Sequence, residues 1–297
     1  MASGRLAGDT VLSKRKIVYQ GEPGANSHIA CAQMFPDDEA VASESFPDAF
    51  AALADGRADL AMIPIDNTLA GRVADIHHLI PESDVYIVGE HFLRVNHQLL
   101  AVPGATLDTL KTVASHPHAL GQCRKSIRAL GLRPIISADT AGAAREISEA
   151  KDPTRAAIAT GLAAQIYGLE PLVTEFEDAA HNTTRFIVLS RTPDDAPLDA
   201  GPVITSFIFK VRNVPAALYK ALGGFATNGV NMIKLESYVD ESFNVAQFYA
   251  DVIGHPEQRN VRLALEELGF FTNFLRVLGT YRASPLRAEL VAGRPVD

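Results

Sequence analysis

The chain has 297 residues, of which 47% are apolar and 21% charged, as in a soluble globular protein long enough for two domains. Its net charge of -8, without any basic stripe, argues against nucleic acid or an anionic membrane as a partner. Residues 1–15 form a polar arm without the apolar stretch of a secretory signal, and no apolar run reaches the ~20 residues of a membrane span. With only two cysteines, the sequence predicts a soluble cytoplasmic protein without a disulfide framework.

Short apolar strands alternate with helical stretches between residues 16 and 190, which predicts an α/β fold with mostly parallel sheets. The predicted strands are Lys16–Tyr19, Leu60–Ile65, Val85–Gly89, Gln98–Val102, Val113–Ala114, Ala156–Ala159 and Phe186–Leu189. The predicted helices are 26–34, capped by Asn26 or Ser27, then 46–55, Thr140–Lys151 and Gly161–Tyr167. Residues 191–202 hold three prolines and three aspartates and are predicted to be a linker.

A complete second pattern follows the linker. It predicts a strand at 203–209, a helix with Leu218, Leu222 and Phe225 on one face, strands at 230–239 and 243–252 around a turn at 240–242, a helix ending at Gly269, and a strand at 274–281. This order, βαββαβ, is typical of a four-stranded antiparallel sheet with two helices on one face.

A cation and two hydroxyls precede the last strand of the first region, in the segment His181–Phe186. Open α/β sheets place their ligands at such strand ends. Arg185 can bind a carboxylate through two parallel hydrogen bonds, and Thr184 can donate to a neighbouring oxygen. The alternative is that Arg185 is a surface charge and Thr184 an ordinary strand residue.

Other polar segments also follow predicted strands. Gly21–Ser27 opens a helix whose backbone N–H groups can bind an anion, unless it is a simple turn. Asn67 offers an acceptor and two donors, unless it only forms an Asx turn. Ser115 is a candidate helix cap with Gln122 further inside that helix, and Glu175–Asp178 is either part of the site or a solvated acidic turn.

Metal and thiol chemistry find little support in the sequence. His116 and His118 lack partners at ligand spacing, and the neighbouring pair His77 and His78 does not supply them, so we expect no zinc site. Cys123 has no sign of a thiolate environment, and we expect it to be a buried structural residue.

Taken together and in order, these segments resemble prephenate dehydratases from Lys16 to Ala283. The glycine-rich segment resembles the family's first loop, and Pro64-Ile65-Asp66-Asn67-Thr68 is similar to its PIENS-type motif. Ser115–Cys123 resembles the family's SHPQAL-x-QC motif, and Asn182–Phe186 its N-x-TRF motif. Tyr167-Gly168-Leu169 and Glu177-Asp178 also match family positions.

The resemblance implies a catalytic region at 16–190 with two α/β lobes, similar to a type II periplasmic binding protein, whose final strand returns to the first lobe. It implies a lyase that converts prephenate to phenylpyruvate, towards phenylalanine, without a metal or organic cofactor. Thr184 would donate to the leaving hydroxyl, Arg185 would hold a carboxylate, and Phe186 would contact the ring. The polar wall would consist of Asn67, Ser115, Gln122, Thr183, Asn26 and Ser27.

The same resemblance implies an ACT regulatory domain at 203–283 that binds L-phenylalanine, followed by a tail at 284–297. Ala216 stands where the family has glycine and adds a methyl group near the expected effector site, and Tyr238-Val239 departs from the family's ESRP segment by removing a cation and a rigid residue. We expect a monofunctional homodimer or homotetramer. The expected effector-site residues are Ala217, Leu218, Asn231, Met232, Glu236 and Ser237.

Two other functions remain open at this point. The substrate can be arogenate, which carries an amino group where prephenate has a keto group. The chain can also be a non-catalytic amino-acid sensor, although such a protein has no need of a donor at Thr184.

Overall fold

The computed structural model describes residues 14–179, 181–212, 214–239 and 245–291. The strands are β1 (Lys16–Gln20), β2 (Glu39–Ser43), β3 (Leu60–Asn67), β4 (Gly71–Arg72), β5 (Tyr86–Arg94), β6 (Gln98–Ala101), β7 (Thr112–Ser115), β8 (Arg133–Ile136), β9 (Arg155–Ala159), β10 (Glu170–Val173), β11 (Thr183–Ser190), β12 (Val203–Val211), β13 (Met232–Val239), β14 (Val245–Ile253) and β15 (Thr272–Arg282). The helices are α1 (Asn26–Met34), α2 (Phe46–Ala54), α3 (Ala74–Glu82), α4 (Pro117–Gln122), α5 (Arg124–Ala129), α6 (Thr140–Ala150), α7 (Gly161–Tyr167), α8 (Ala217–Thr227), α9 (Arg259–Phe271) and α10 (Leu286–Val291).

The first sheet has the strand order β2-β1-β3-β11-β5, with β4 paired to β3. Strands β1, β2 and β3 are parallel, whereas β11 runs antiparallel to both β3 and β5. The last strand of the region therefore returns to the first sheet, as predicted. Because β11 runs against β3, its first residues lie beside the last residues of β3, and Thr184 pairs with Asn67.

The second sheet has the order β10-β6-β9-β7-β8 and is built from residues 98–173, inserted between β5 and β11. Strands β7, β8 and β9 are parallel, and β6 and β10 are antiparallel additions. Each of these two sheets forms a lobe with its helices. The chain passes from the first lobe to the second after β5 and returns before β11. The predicted mixed α/β fold class is confirmed.

The third sheet has the order β13-β14-β12-β15 and is antiparallel. Together with α8 and α9 it has the predicted order βαββαβ, and we call residues 203–282 the C-terminal unit. One sheet face packs on the two helices through Phe207, Phe225 and Leu268. The other face shares a hydrophobic cluster with the first sheet, in which Ile187 and Ile204 both lie. The predicted turn at 240–242 lies outside the described residues.

Several elements differ from the sequence-based expectation. Helix α9 continues through Gly269 to Phe271, and edge strands β2 and β8 were not predicted because few of their side chains are buried. Residues 191–202 contain no helix or strand, but they are not loose, since the side chain of Arg191 donates to the Leu53 and Ala58 carbonyls at 2.6 Å. Among the described residues, no helix is both long and apolar enough to cross a bilayer.

Gly279 marks the closest approach between the C-terminal unit and the first sheet. A Cβ at this position would overlap the carbonyl oxygen of Ile87 on β5. We expect Gly279→Ala to lower the free energy of unfolding by about 3 kcal/mol, because backbone on backbone leaves no side chain to move aside. Urea unfolding measures this.

The control is Gly269→Ala, because a Cβ at Gly269 meets no atom of another described part of the chain within 4 Å and alanine favours the helix. Equal stability of the two variants would show that the backbones at Gly279 and Ile87 can move apart without a cost in stability.

Candidate active site

Asn67, the last residue of β3, is held by two backbone groups. The N–H groups of Leu69 and Ala70 donate to its Oδ1 at 2.9 and 2.7 Å. Its Nδ2 therefore points the other way and donates to Asn182 Oδ1 at 2.7 Å and to Thr184 Oγ1 at 2.9 Å. Since a hydroxyl carries a single hydrogen, Thr184 accepts from Asn67 and keeps its own proton for another partner.

The chain of amides continues into the second lobe. Because Asn182 Oδ1 is already an acceptor, Asn182 Nδ2 donates to Gln122 Oε1 at 2.9 Å. The Nε2 of His97 lies 2.8 Å from the same Gln122 oxygen and must be its donor. This leaves the Gln122 amide nitrogen turned away from both partners, and it places Thr184, Asn67 and Gln122 in one network that bridges the lobes.

His97, at the distal end of this network, is buried. Burial lowers its pKa, an effect that Gln122 and Glu177 oppose only in part, so the imidazole is neutral at pH 7. A neutral ring with Nε2 donating has Nδ1 as an acceptor, and this atom has no hydrogen-bond partner among the described residues.

The acidic segment near Glu177 and Asp178 is structural. Glu177 Oε2 accepts from the backbone N–H of His97 at 2.8 Å, and Asp178 accepts from the N–H groups of Lys125 and Ser126 at the start of α5. Burial alone would raise the pKa of Asp178, but these donors lower it. The two carboxylates therefore fix the backbone around Gln122, whose carbonyl accepts from Asp178 N at 2.7 Å.

The glycine-rich loop after β1 connects the lobes. Glu22 accepts from Arg145 of α6 at 2.8 and 3.0 Å, a two-pronged ion pair that lowers the pKa of Glu22. Thr160 donates to Gly24 O at 2.5 Å, and Tyr167 donates to Pro23 O at 2.9 Å. The loop is thus fixed to the second lobe.

Helix α1 follows this loop and begins at Asn26, with Ala25 as its N-cap and no side-chain cap. The predicted caps Asn26 and Ser27 lie inside the first turn instead, where Ser27 is buried. An uncapped first turn carries unpaired N–H groups and a partial positive charge. Since β1 and β3 are parallel, this turn lies at the same edge of the first sheet as Asn67 and Thr184.

Arg185 lies differently from the expectation. Its side chain is 6% exposed and binds Glu90 through Nε at 2.9 Å, Asp251 through Nη1 at 2.6 Å and Tyr281 through Nη2 at 2.9 Å. Neighbouring residues of a strand face opposite sides of a sheet, so Arg185 and Thr184 cannot point to the same place. The guanidinium is directed at the C-terminal unit.

Asp251 is the principal partner of Arg185 and is fully buried on β14. Burial would raise its pKa, but Arg185 and the hydroxyl of Ser206, which donates to Oδ1 at 2.5 Å, together lower it. On the other side, Glu90 also binds Arg287 at 2.6 Å. The result is a buried ionic network across the boundary between the first sheet and the C-terminal unit.

Three other predicted site residues also lie apart from Thr184. Thr183 faces the Arg185 side of β11 and borders a cavity of about 280 Å³ between the first and third sheets. Phe186 is buried in the core under α1 with Tyr19. Ser115 is fully buried and donates to the Ile158 carbonyl at 2.7 Å, and the cap of α4 is His116 rather than Ser115.

The C-terminal unit has a cavity of about 530 Å³ between α8 and β13. Of the predicted effector residues, Ala217, Leu218 and Ser237 line it, whereas Glu236 faces the first sheet and binds Lys234. Met232 packs on the core beneath α8 and α9, and Asn231 is exposed. Ala216, also in the lining, has a φ of 59°, a conformation that glycine adopts more readily.

Sequence reasoning missed His97 and Asp251. Asn182 was part of a recognised segment, but its role became clear only from the amide chain. The two cysteines are buried and unpaired, and burial raises the pKa of Cys31 to about 12 and that of Cys123 still further, so neither is a thiolate.

Comparison with known proteins identifies the family of this chain. The prephenate dehydratase family profile matches residues 17–194. A protein from Komagataeibacter europaeus, named bifunctional N-acyl-homoserine lactone acylase/prephenate dehydratase, is 49% identical over 93% of this chain and 99% of its own length. Arogenate dehydratase/prephenate dehydratase 1 of Arabidopsis thaliana is 38% identical over 91% of this chain and 72% of its own.

Two solved structures are similar as well. That of GqqA, described as a novel type of quorum quenching acylase, has 49% identity and a TM-score of 0.87, covering 92% of this chain and 100% of its own. That of prephenate dehydratase from Arthrobacter aurescens in complex with L-Phe has 27% identity and a TM-score of 0.83, covering 94% and 96%. The chain belongs to the prephenate dehydratase family.

Proposed function

We propose that this protein converts prephenate to phenylpyruvate, carbon dioxide and water. The observation that carries the proposal is the Thr184 hydroxyl, which accepts from Asn67 Nδ2 at 2.9 Å and so has its proton free at the junction of the lobes. Membership of the prephenate dehydratase family supplies the reaction, and the hydrogen-bond chain supplies a donor of fixed direction.

The reaction needs only modest help from the protein. The bond between the ring carbon and the ring carboxylate breaks, its electron pair enters the ring, and the C–OH bond breaks with its pair remaining on oxygen. One proton, passed from the Thr184 hydroxyl and restored to Oγ1 from solvent, converts the departing hydroxide to water. Thr184 donates a hydrogen bond to that oxygen, and the Asn67 donor stabilises the charge that develops on Thr184 Oγ1.

We propose that a substrate carboxylate binds at the first turn of α1 rather than on Arg185. The backbone N–H groups of Asn26 and Ser27 lie in this uncapped turn, at the sheet edge that also carries Thr184. The amide nitrogen of Gln122 is a further donor from the second lobe. In this proposal Arg185 lies on the face of β11 opposite to Thr184, where its guanidinium binds Asp251.

We propose that the C-terminal unit is an ACT-type regulatory domain and that L-phenylalanine binds in its cavity beside Ala217, Leu218 and Ser237. The similarity to a prephenate dehydratase in complex with L-Phe supports this. In the same proposal 16–190 is the catalytic domain, 191–202 joins it to 203–283, and 284–297 is a tail.

We also propose a cytoplasmic homo-oligomer, a homodimer or homotetramer. Tyr219 and Val214 are large apolar side chains at the rim of the same cavity, and 81% of Tyr219 and 52% of Val214 are exposed. A second copy that covers them would remove this apolar surface from water.

Phenylpyruvate formation from prephenate at neutral pH tests the proposal, against an enzyme-free blank and with or without L-phenylalanine. We expect turnover that phenylalanine suppresses. Turnover without suppression contradicts the regulatory half, and no turnover contradicts the catalytic half.

Two parallel assays test the other activities for which relatives are named. Arogenate replaces prephenate in the first, and the ratio of kcat/KM values identifies the preferred substrate. In the second, hydrolysis of an N-acyl-homoserine lactone is measured because a relative of 49% identity over 99% of its length is named for that activity as well. Binding of an amino acid without any turnover would instead favour a sensor.

Asn182→Ala tests the amide chain. The variant loses the link between Asn67 and Gln122 but leaves the two backbone donors on Asn67. We expect kcat for prephenate to fall about tenfold, since both hydrogen bonds of Asn182 are lost and a barrier increase of about 1.4 kcal/mol corresponds to a factor of ten. Thr68→Val is the control, because the Thr68 hydroxyl bonds the backbone groups of His181 and Thr183 and no side chain among the described residues. An unchanged kcat in Asn182→Ala would remove the chain from the mechanism.

A further inference from the structure

Strand β13 has one face on the C-terminal cavity and the other on the first sheet. Leu235 and Ser237 line the cavity of about 530 Å³. Lys234 and Glu236 point the opposite way, and Lys234 Nζ lies 2.6 Å from Asp66 Oδ1 and 3.4 Å from Glu236 Oε1. Lys234 and Leu235 are consecutive residues of β13 with side chains on opposite faces. A displacement of the strand at the cavity therefore also moves Lys234.

The partner of Lys234 adjoins the site. Asp66 directly precedes Asn67 on β3, and Asn67 donates to Thr184 Oγ1 at 2.9 Å. Arg72 on β4 pairs with Asp66 through the backbone and donates to the carbonyl of Ser237 at 3.3 Å. Strand β13 therefore contacts both strands of the hairpin that carries Asn67.

The ion pair between Lys234 and Asp66 is partly shielded from solvent. The side chain of Lys234 is 11% exposed and that of Asp66 is 30% exposed. Salt screens such a pair less than a fully exposed one. If Lys234 is removed, Asp66 still has Arg185 Nη1 at 3.8 Å, so its carboxylate is not left without a cation.

We propose that Lys234 is a positioning residue that couples the C-terminal cavity to Asn67 and Thr184 through its ion pair with Asp66. An amino acid bound beside Leu235 and Ser237 shifts β13, Lys234 moves Asp66, and Asn67 loses its alignment with the Thr184 hydroxyl. This inference rests on the proposed function, whose active site and phenylalanine site it connects.

The test compares wild type, Lys234→Met and the control Lys220→Met, which removes an exposed lysine of α8. Turnover of prephenate is measured with and without saturating L-phenylalanine, and phenylalanine binding is measured by calorimetry with and without phenylpyruvate. In Lys234→Met we expect phenylalanine to bind within about twofold of wild type, while its effect on kcat/KM shrinks at least fivefold, about the lower limit of typical coupling. Any change that phenylpyruvate makes in the phenylalanine affinity of wild type should shrink in Lys234→Met as well, because the coupling between two binding equilibria is reciprocal. Lys220→Met behaves as wild type.

Asp66→Asn removes the same pair from the other side and must show the same loss of coupling, with folding of each variant followed by thermal melting. Lys234→Met that is inhibited like wild type overturns the inference. Lys234→Met that no longer binds phenylalanine also overturns it, because Lys234 would then belong to the effector site. Wild type without turnover contradicts the proposed function, and wild-type turnover that ignores phenylalanine contradicts the inference and the regulatory proposal together.

Discussion

Thr184→Ala is expected to lower kcat for prephenate by about 10²–10³ and to change KM little. A donor aimed at an oxygen that gains charge during the reaction matters most in the transition state. The structure gives this prediction its direction, because Asn67 Nδ2 donates to Thr184 Oγ1 and thereby leaves the hydroxyl proton unassigned. Initial rates over a range of prephenate concentrations separate the two constants.

Thr184→Ser is the matched control, since it keeps the hydroxyl and removes only a methyl group. We expect it to recover most of kcat. If Thr184→Ala raises KM and leaves kcat unchanged, the hydroxyl is a binding group and the proposed role in catalysis is refuted.

Arg185→Leu is expected to destabilise the fold by about 3–5 kcal/mol, because it removes one partner of a buried ion pair. Asp251 is fully buried, and its remaining neighbours, Ser206 among them, cannot replace the lost cation. Glu90 keeps Arg287 at 2.6 Å. Urea unfolding at pH 7 measures the loss.

Arg145→Leu is the control, because its ion pair with Glu22 is much more exposed and we expect little change. The double variant Arg185→Leu with Asp251→Asn should recover part of the stability. A double variant no more stable than Arg185→Leu alone would show that the unpaired carboxylate is not the cause.

The same pair predicts a change in how stability depends on pH. In wild type, burial acts to raise the pKa of Asp251, but Arg185 and Ser206 together lower it by more than burial raises it. The pKa in the folded protein therefore lies below that in the unfolded chain. The stabilisation is thus fully present above about pH 4, the ordinary range for aspartate, and is lost as the pH falls through the lowered pKa.

In Arg185→Leu only burial and the remaining hydrogen bonds act, and we expect the pKa of Asp251 to lie above its unfolded value. Relative to wild type, the variant is then least stable at neutral pH, and protonation of Asp251 in acid reduces this loss of stability. The stability difference between variant and wild type should therefore narrow from pH 8 to pH 5. An equal difference at both values would contradict this account.

Much of the fold was predictable because its pattern is local. The C-terminal βαββαβ order follows from alternating strands and from helices such as α8, whose apolar residues share a face. Edge strands β2 and β8 were missed because they bury few side chains, so hydrophobic periodicity is weak there. Helix α3 was missed as well, and it contains Pro81, a residue that normally signals a break.

At the site, the resemblance to prephenate dehydratases implied that Thr184, Asn67 and Gln122 belong to one polar wall, and the hydrogen-bond chain joins all three. It did not predict the direction of Arg185. Strand alternation alone separates Arg185 from Thr184. Its partner Asp251, however, lies 66 positions away on a different sheet, and no local pattern reveals such a contact.

The hydrophobic cluster shared by the first and third sheets has a consequence for how such a protein can be divided. Ile187 of β11 and Ile204 of β12 lie in one core, although residues 191–202 separate them in sequence. A cut in this segment would not release two independent parts, because each would expose the apolar face that the other covers. The C-terminal unit is therefore not a detachable module, and a fragment that ends near Ser190 should aggregate rather than work as an unregulated enzyme.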